Sequence, residues 1–379
     1  MEFKKNKLLF IIGSLAGGGA EKTLIEILNV LPENKYNITL LLLKREGVNL
    51  SDVPKHIKIC SIITPKNGSV FSKLYNKLLL FWLRFLLFFP ELIQKYYLKD
   101  SFHYMIAFLQ YSELRVLKIK RSSIKIVRIC NNINMDNTNL KLLSSALKTV
   151  DKVWCISKEM INTVAYNFPM TKEKIVLIQN PRNIKNIHNI ALKNEITFVK
   201  PTIVAVGRLE KQKRFDILLR ALALLLKEGN DWNLNIIGIG SLDKELKNLV
   251  DELGIGNNVE FIGYTKNPYS YIKSANLFVL SSENEGFCNV LIEALALSCP
   301  IVATDCISSP KEILENGKYG YLVKVNSVVD LANGIKIVMQ DKKIIENFKR
   351  NGFMRAMEFD TSMILPKLEQ LFDSVPSKN

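Results

Sequence analysis

The 379-residue chain has only three histidines, His56, His103 and His188, no two of them close in sequence, and no Asp-x-Asp pair. Asp305 stands alone. No ligand set for a metal is recognisable, and neither a metal nor another cofactor is expected. The six cysteines (Cys60, Cys130, Cys155, Cys288, Cys299 and Cys306) form no C-x-x-C pair and no zinc spacing, which argues for free thiols in a reducing compartment. No G-x-G-x-x-G fingerprint and no solenoid-period repeat is present. Lys4, Lys5 and Lys7 before Leu8 to Ile12 imitate a signal peptide, but five apolar residues fall short of the usual run of about 7 to 15. The chain is therefore expected to be uncleaved and cytoplasmic. Acidic residues are scarce in one half only. Residues 1–190 hold 29 Lys and Arg against 13 Asp and Glu, whereas residues 191–379 hold 23 of each. The whole net charge of +16 thus lies in the first half, which points to an anionic partner such as a membrane surface, nucleic acid or a phosphorylated acceptor.

What is present describes a folded chain. Hydrophobic residues make up 48% and charged residues 23%, which excludes extended disorder, and the length calls for two domains. Strand-like and helix-like runs alternate from Leu8 to Val323, including Asn37 to Leu43, Tyr104 to Phe108, Lys125 to Cys130, Val153 to Ile156 and Ile175 to Ile178. Such alternation predicts α/β architecture with parallel, doubly wound sheets. A polar stretch from Asn180 to Pro201 breaks the pattern. The expected domains are residues 1–185 and 186–358, followed by a C-terminal helical stretch, 359–379, packing back on the first.

The second half carries the sharpest motif. Glu285 and Glu293 flank Gly286-Phe287-Cys288-Asn289 behind the strand Ala275 to Leu280. Backbone N–H groups at the start of a helix attract anions, while carboxylates accept hydrogen bonds from sugar hydroxyls. Upstream, the apolar run Thr202 to Val206 leads to Gly207-Arg208, then to Lys213-Arg214 and a helical pattern through Leu226. That order puts Arg208 and Lys213 at the carboxyl edge of a parallel sheet, where open α/β sheets bind ligands. Two fixed cations there can neutralise a leaving diphosphate. The plain alternatives are a solvated helix start and two surface glutamates.

At the other end, the strand Leu8 to Gly13 runs into Gly17-Gly18-Gly19-Ala20-Glu21 and a helix through Leu31, a turn at which backbone can approach a ligand. Residues 71–99 hold the run from Leu78 to Phe89, dense in Leu, Phe and Trp82, interrupted by Arg84 and flanked by Lys73, Lys77, Lys95 and Lys99. The run is too short and too charged to span a bilayer, which needs about 20 apolar residues. It reads as an interfacial segment drawn to anionic lipid, with a buried core helix as the alternative. Nucleic acid is not expected, because the aromatics sit in an apolar run without basic interleaving.

Together these residues resemble the retaining nucleotide-sugar glycosyltransferases of family four, which have the GT-B fold: two Rossmann-like doubly wound domains facing a central cleft. The resemblance is strongest from Ile203 to Val325, where Gly207-Arg208 with Lys213, Val259 to Gly263 and Ser281 to Pro300 follow the family's order and spacing, and it thins from Ser61 to Ser122. It implies that Arg208 and Lys213 bind the donor diphosphate, Glu285 the transferred sugar and Glu293 the ribose, assisted by Gly207 and the amides of Gly286 to Asn289. It places Gly17, Gly18, Gly19 and Glu21 across the cleft, near the acceptor. The chain departs from the family's usual Glu-Gly-Phe-Gly-Asn, Ala-Cys-Gly-Thr-Pro and Ser-Gly-Pro at Cys288, at Leu297-Ser298-Cys299 and at Ser309, which puts donor choice in question. The expected activity is transfer of a hexose or N-acetylhexosamine, with retention, from a nucleotide sugar (UDP being the expected nucleotide) to a polyprenyl-diphosphate-linked saccharide. Capsule, O-antigen or glycoprotein glycan assembly at the inner face of the cell membrane would be its setting. A GT-B sugar-nucleotide epimerase and a non-catalytic nucleotide-sugar-binding protein are the alternatives.

Overall fold

The computed structural model describes residues 5–66, 70–120, 123–130, 136–307 and 309–373; Lys4 and the last six residues of the expected C-terminal stretch lie outside them. The chain divides into two compact units, Arg182 to Asp360 forming one, and the residues before and after forming the other.

The first unit is built on seven parallel strands: β1 (Asn6–Ile12), β2 (Tyr36–Lys44), β3 (Lys58–Ile63), β4 (Tyr104–Ala107), β5 (Ile124–Ile129), β6 (Lys152–Cys155) and β7 (Ile175–Leu177). Their order is β3-β2-β1-β4-β5-β6-β7. The central strand reads Leu8-Leu9-Phe10-Ile11-Ile12, every side chain fully buried, as a strand covered on both faces must be. Strand order reverses between β1 and β4, so the loops after those two strands diverge and leave a crevice at the sheet's carboxyl edge. The helix Thr361–Asp373 belongs to this unit. Its Phe372 is fully buried and meets the rings of Phe10, Tyr36 and Tyr104 edge-on at 5.6 to 6.3 Å.

The segment expected to be interfacial forms the helices Val70–Phe88 and Pro90–Tyr96. The buried-helix alternative holds for one face of it. One stripe, Leu83, Leu86, Leu87 and Ile93, joins the core of the first unit. The opposite face leaves Phe71, Phe81 and Phe88 at 84%, 72% and 69% exposure. Lys73, Lys77, Trp82 and Arg84 are exposed as well. Trp82 stacks on Phe85 at 5.4 Å, and Arg115 lies over the Phe88 ring at 4.9 Å. Among the described residues no helix is long and apolar enough to cross a membrane.

The second unit has six parallel strands: β8 (Thr202–Val206), β9 (Asn233–Ile237), β10 (Val259–Gly263), β11 (Leu277–Leu280), β12 (Ile301–Thr304) and β13 (Tyr321–Val323), ordered β10-β9-β8-β11-β12-β13. Here the order reverses between β8 and β11, which are the strands preceding Gly207 and Glu285. The leucine-rich helix Phe215–Lys227 packs one side of the sheet, and the almost wholly buried helix Asn289–Ala296 packs the other.

Because Phe372 fills an aromatic pocket with no solvent contact, Phe372→Ala is expected to cost about 3–5 kcal/mol, read as a lowered urea midpoint with an unchanged slope.

Candidate active site

Polar side chains collect where the loops after β8 and β11 face each other. Lys213 Nζ donates to Glu285 Oε1 at 2.5 Å, and both side chains are largely buried. The hydroxyl of Ser282 donates to the same oxygen at 2.6 Å. Its neighbour Ser281 donates to the Lys213 carbonyl at 2.8 Å. The loops are also stitched by the Glu283 amide to the Gln212 carbonyl (2.9 Å) and by the Gln212 side chain to the Asn284 carbonyl (2.6 Å). Carboxylate and ammonium are thus fixed at the sheet edge before any ligand arrives.

Glycine chemistry shapes this edge. A Cβ at Gly207 would lie 3.2 Å from the Lys213 side chain, so the stem of Lys213 reaches Glu285 by passing over a residue that has none. Behind the adjacent strand β9, Gly238 adopts φ +147°, and a Cβ there would fall 1.8 Å from the Gly207 carbonyl. The loop after β9 is thereby pressed backbone to backbone against Gly207 to Leu209, with hydrogen bonds from the Gly207 amide to Ile237 and from the Leu209 amide to Ile239. Gly238 escaped the sequence reading, although a glycine pair, Gly238 and Gly240, directly behind a strand was the available signal.

The second acid has a different partner. Glu293 forms an ion pair with Arg182 through Oε1, and Arg182 Nη2 also reaches the Tyr269 hydroxyl at 3.3 Å. Arg182 is 1% exposed and Glu293 8%. Arg182 was not singled out either; it lies 111 residues from its partner, in the polar stretch read as a linker. Arg208 stays apart from these pairs. Its side chain is exposed, and among the described residues it makes no hydrogen bond or ion pair. Of the four amides expected at the ligand, the structure gives two internal partners: the Cys288 amide donates to Ser309 Oγ at 2.9 Å, and that of Asn289 to the Phe287 carbonyl at 2.8 Å. Burial pushes the Cys288 thiol well above its ordinary pKa, so it stays an unreactive thiol. Gly286 and Phe287 lie in the same loop, both half-buried.

In the first unit Gly17 has φ +108°, Gly18 caps the helix Gly19–Val30 and Glu21 lies in its first turn. Beside this turn sits an acid the sequence reading passed over. Glu113, 2% exposed, accepts backbone hydrogen bonds from Gly13 and Tyr111, while burial pushes its carboxyl pKa up. Among the described residues no group of His, Cys, Asp or Glu is arranged to hold a metal ion.

Two Rossmann-like units, one carrying a cation-carboxylate pair at its switch point, define the GT-B class of glycosyltransferases. The chain belongs to the family of glycosyl transferases group 1, whose model matches residues 186–355. It is 30% identical over 361 residues to the N-acetylgalactosamine-N,N'-diacetylbacillosaminyl-diphospho-undecaprenol 4-alpha-N-acetylgalactosaminyltransferase of Campylobacter jejuni, covering 93% of this chain and 96% of that protein. The amylovoran biosynthesis glycosyltransferase AmsD of Erwinia amylovora is 23% identical over 389 residues, covering 97% and 99%. Among solved structures, Anabaena HepE in complex with UDP and glucose matches with a TM-score of 0.77 at 19% identity over 98% of this chain and 100% of that one. That likeness establishes the shared fold.

If Gly238 is held by the close carbonyl, Gly238→Ala is expected to lower the melting temperature far more than Gly229→Ala. Gly229 also has positive φ, +86°, but meets nothing within 4 Å, so its variant shows what positive φ costs without a collision.

Proposed function

We propose that this glycosyltransferase moves a hexose or N-acetylhexosamine from a UDP-sugar to a lipid-diphosphate-linked saccharide, retaining the configuration at the anomeric carbon. The observation that carries the donor side is the Lys213–Glu285 pair at the switch point, with Arg208 on the same loop. The bond between the anomeric carbon and the diphosphate breaks, and one forms to the acceptor oxygen. The acceptor's proton leaves with the nucleoside diphosphate. Negative charge grows on that diphosphate, and Arg208 and Lys213 oppose it where it appears. Glu285, already accepting from both Lys213 and Ser282, suits a role orienting sugar hydroxyls better than one as a nucleophile. Glu293 accepts from the ribose. Solved relatives with UDP bound and the undecaprenyl-linked acceptor in the Campylobacter enzyme's name support the choice of both substrates.

The acceptor side rests on the exposed face of Val70–Phe88. Its aromatics and its cations share one surface, which fits an anionic bilayer: apolar rings enter the acyl boundary while each nearby Lys or Arg contributes roughly 1 kcal/mol of attraction. An enzyme docked in this way meets a polyprenyl-linked substrate at the depth of its diphosphate. The site of action would then be the cytoplasmic face of the membrane, without a spanning segment.

Arg208→Ala, which removes an exposed side chain, should leave the melting temperature unchanged and reduce turnover about 100-fold or more. The measurement is UDP release from a panel of UDP-sugars with lipid-linked acceptors, products identified by mass spectrometry; near-normal turnover would refute the diphosphate role. Sedimentation with vesicles containing phosphatidylglycerol should be strong at low salt and weak for Lys73→Glu, Lys77→Glu and Arg84→Glu combined. Equal sedimentation would remove the membrane role from this face.

A further inference from the structure

We propose that Arg182 is a positioning residue that aims the free oxygen of Glu293 at the ribose diol and so makes the enzyme prefer ribonucleotide over 2′-deoxyribonucleotide donors. This rests on the reading of Glu293 as the ribose ligand. The two oxygens of that carboxylate differ in their surroundings. Oε1 is taken by Arg182; among the described residues no donor reaches Oε2, and Glu293 keeps some exposure. A carboxylate is planar, so anchoring one oxygen fixes the direction in which the other accepts. Without that anchor, a glutamate side chain would sample several rotamers.

The anchor itself is rigid. The Arg182 amide donates to the Phe359 carbonyl at 2.8 Å, and Arg182 pairs with Asp360 in an isolated parallel bridge. Asp360 in turn accepts from the Ile184 amide at 3.1 Å. Asn183 then caps the helix Ile184–Ala191, its side chain accepting from the Asn186 amide. Ile184, Ile187 and Ala191 of that helix share a core with Leu291, Ile292 and Leu295 of the helix bearing Glu293. Guanidinium and carboxylate therefore stand on elements that are packed together, and neither can drift from the other. A buried ion pair gives little net stability over apolar side chains of the same volume; what this pair supplies that apolar side chains would not is a fixed acceptor direction.

The test uses the full-length protein and calorimetric titration with UDP and with 2′-deoxy-UDP. Wild type is expected to bind UDP about tenfold or more tightly, the size of a hydrogen bond to a charged group. Arg182→Met should bring the ratio of the two dissociation constants close to one, and Arg182→Lys should fall between. A loss confined to stability would lower both affinities together and leave the ratio at its wild-type value, which overturns the proposal. Glu293→Gln separates the two layers. If it abolishes the preference while Arg182→Met keeps it, the positioning role fails and the ribose reading stands. If wild type shows no preference, or Glu293→Gln retains it, the ribose reading fails and the proposal falls with it. Should Arg182→Met not fold, Arg182→Lys decides: a wild-type ratio there refutes the role.

Discussion

The second unit's sheet edge depends on one ion pair that closes the gap between two strands running to opposite sides of a reversal in sheet order. Lys213 follows β8, Glu285 follows β11, and the pair sits largely out of water. A buried charge without a partner is costly, so each group holds the other's loop in place. The rest of the edge is arranged around that tie. Gly207 leaves room for the lysine stem, Gly238 lets the β9 loop support Gly207 from behind, and Ser281 and Ser282 fasten both ends of the pair. In the proposed donor role a diphosphate would meet an ammonium already placed, and Glu285 would keep a donor in Ser282 if Lys213 turned to the phosphate.

Charge is distributed to match the division of labour. The second unit sets cations individually against carboxylates: Lys213 on Glu285, Arg182 on Glu293, Arg214 on Asp216. The first half has an excess of 16 positive charges and leaves many of them on its surface, where they act as a field rather than as pairs. Such a field attracts an extended anionic surface, and the helix Val70–Phe88 adds the apolar face that a polyanion in solution would not use. Glu113 departs from that basic background. It is an acid buried beside the Gly13 turn and held by backbone donors, with burial pushing its carboxyl pKa up.

Much of this was legible in the sequence because it is local. Apolar runs followed by glycine and a helical period reveal β1 and β8 and the loops behind them, and the spacing of Glu285 and Glu293 reveals the pocket loop. Strand length does not decide legibility: β6 and β7, of four and three residues, stand out in the sequence, whereas β12 and β13 of the same lengths were not singled out. Residues whose partners are remote were also invisible. Nothing near Arg182 hints at Glu293, and Glu113 looks like any acid in a helical turn until β4 brings it beside Gly13. Pattern resolves whether Val70–Phe88 is a helix. It does not resolve how much of its apolar surface the core uses, because that depends on strands and helices distant in sequence.

The departures from the family's glycines have a physical reading once the loops are in place. Cys288 stands where glycine is usual, yet its φ of −77° requires no glycine, and its thiol is buried in the core beneath the helix Asn289–Ala296. Ser309 also replaces a glycine, and its hydroxyl accepts from the Cys288 amide. The two replacements therefore meet each other: one supplies an acceptor for a backbone N–H that a glycine at 309 would leave available to a phosphate oxygen. Ser298 is the third departure, and with φ +53° at the helix end it accepts a left-handed strain of roughly 1 kcal/mol, away from this amide. The Cys288 N–H is thereby committed within the protein. Under the proposed donor role, Arg208 and Lys213 would then carry more of the diphosphate's charge than in a loop with both glycines.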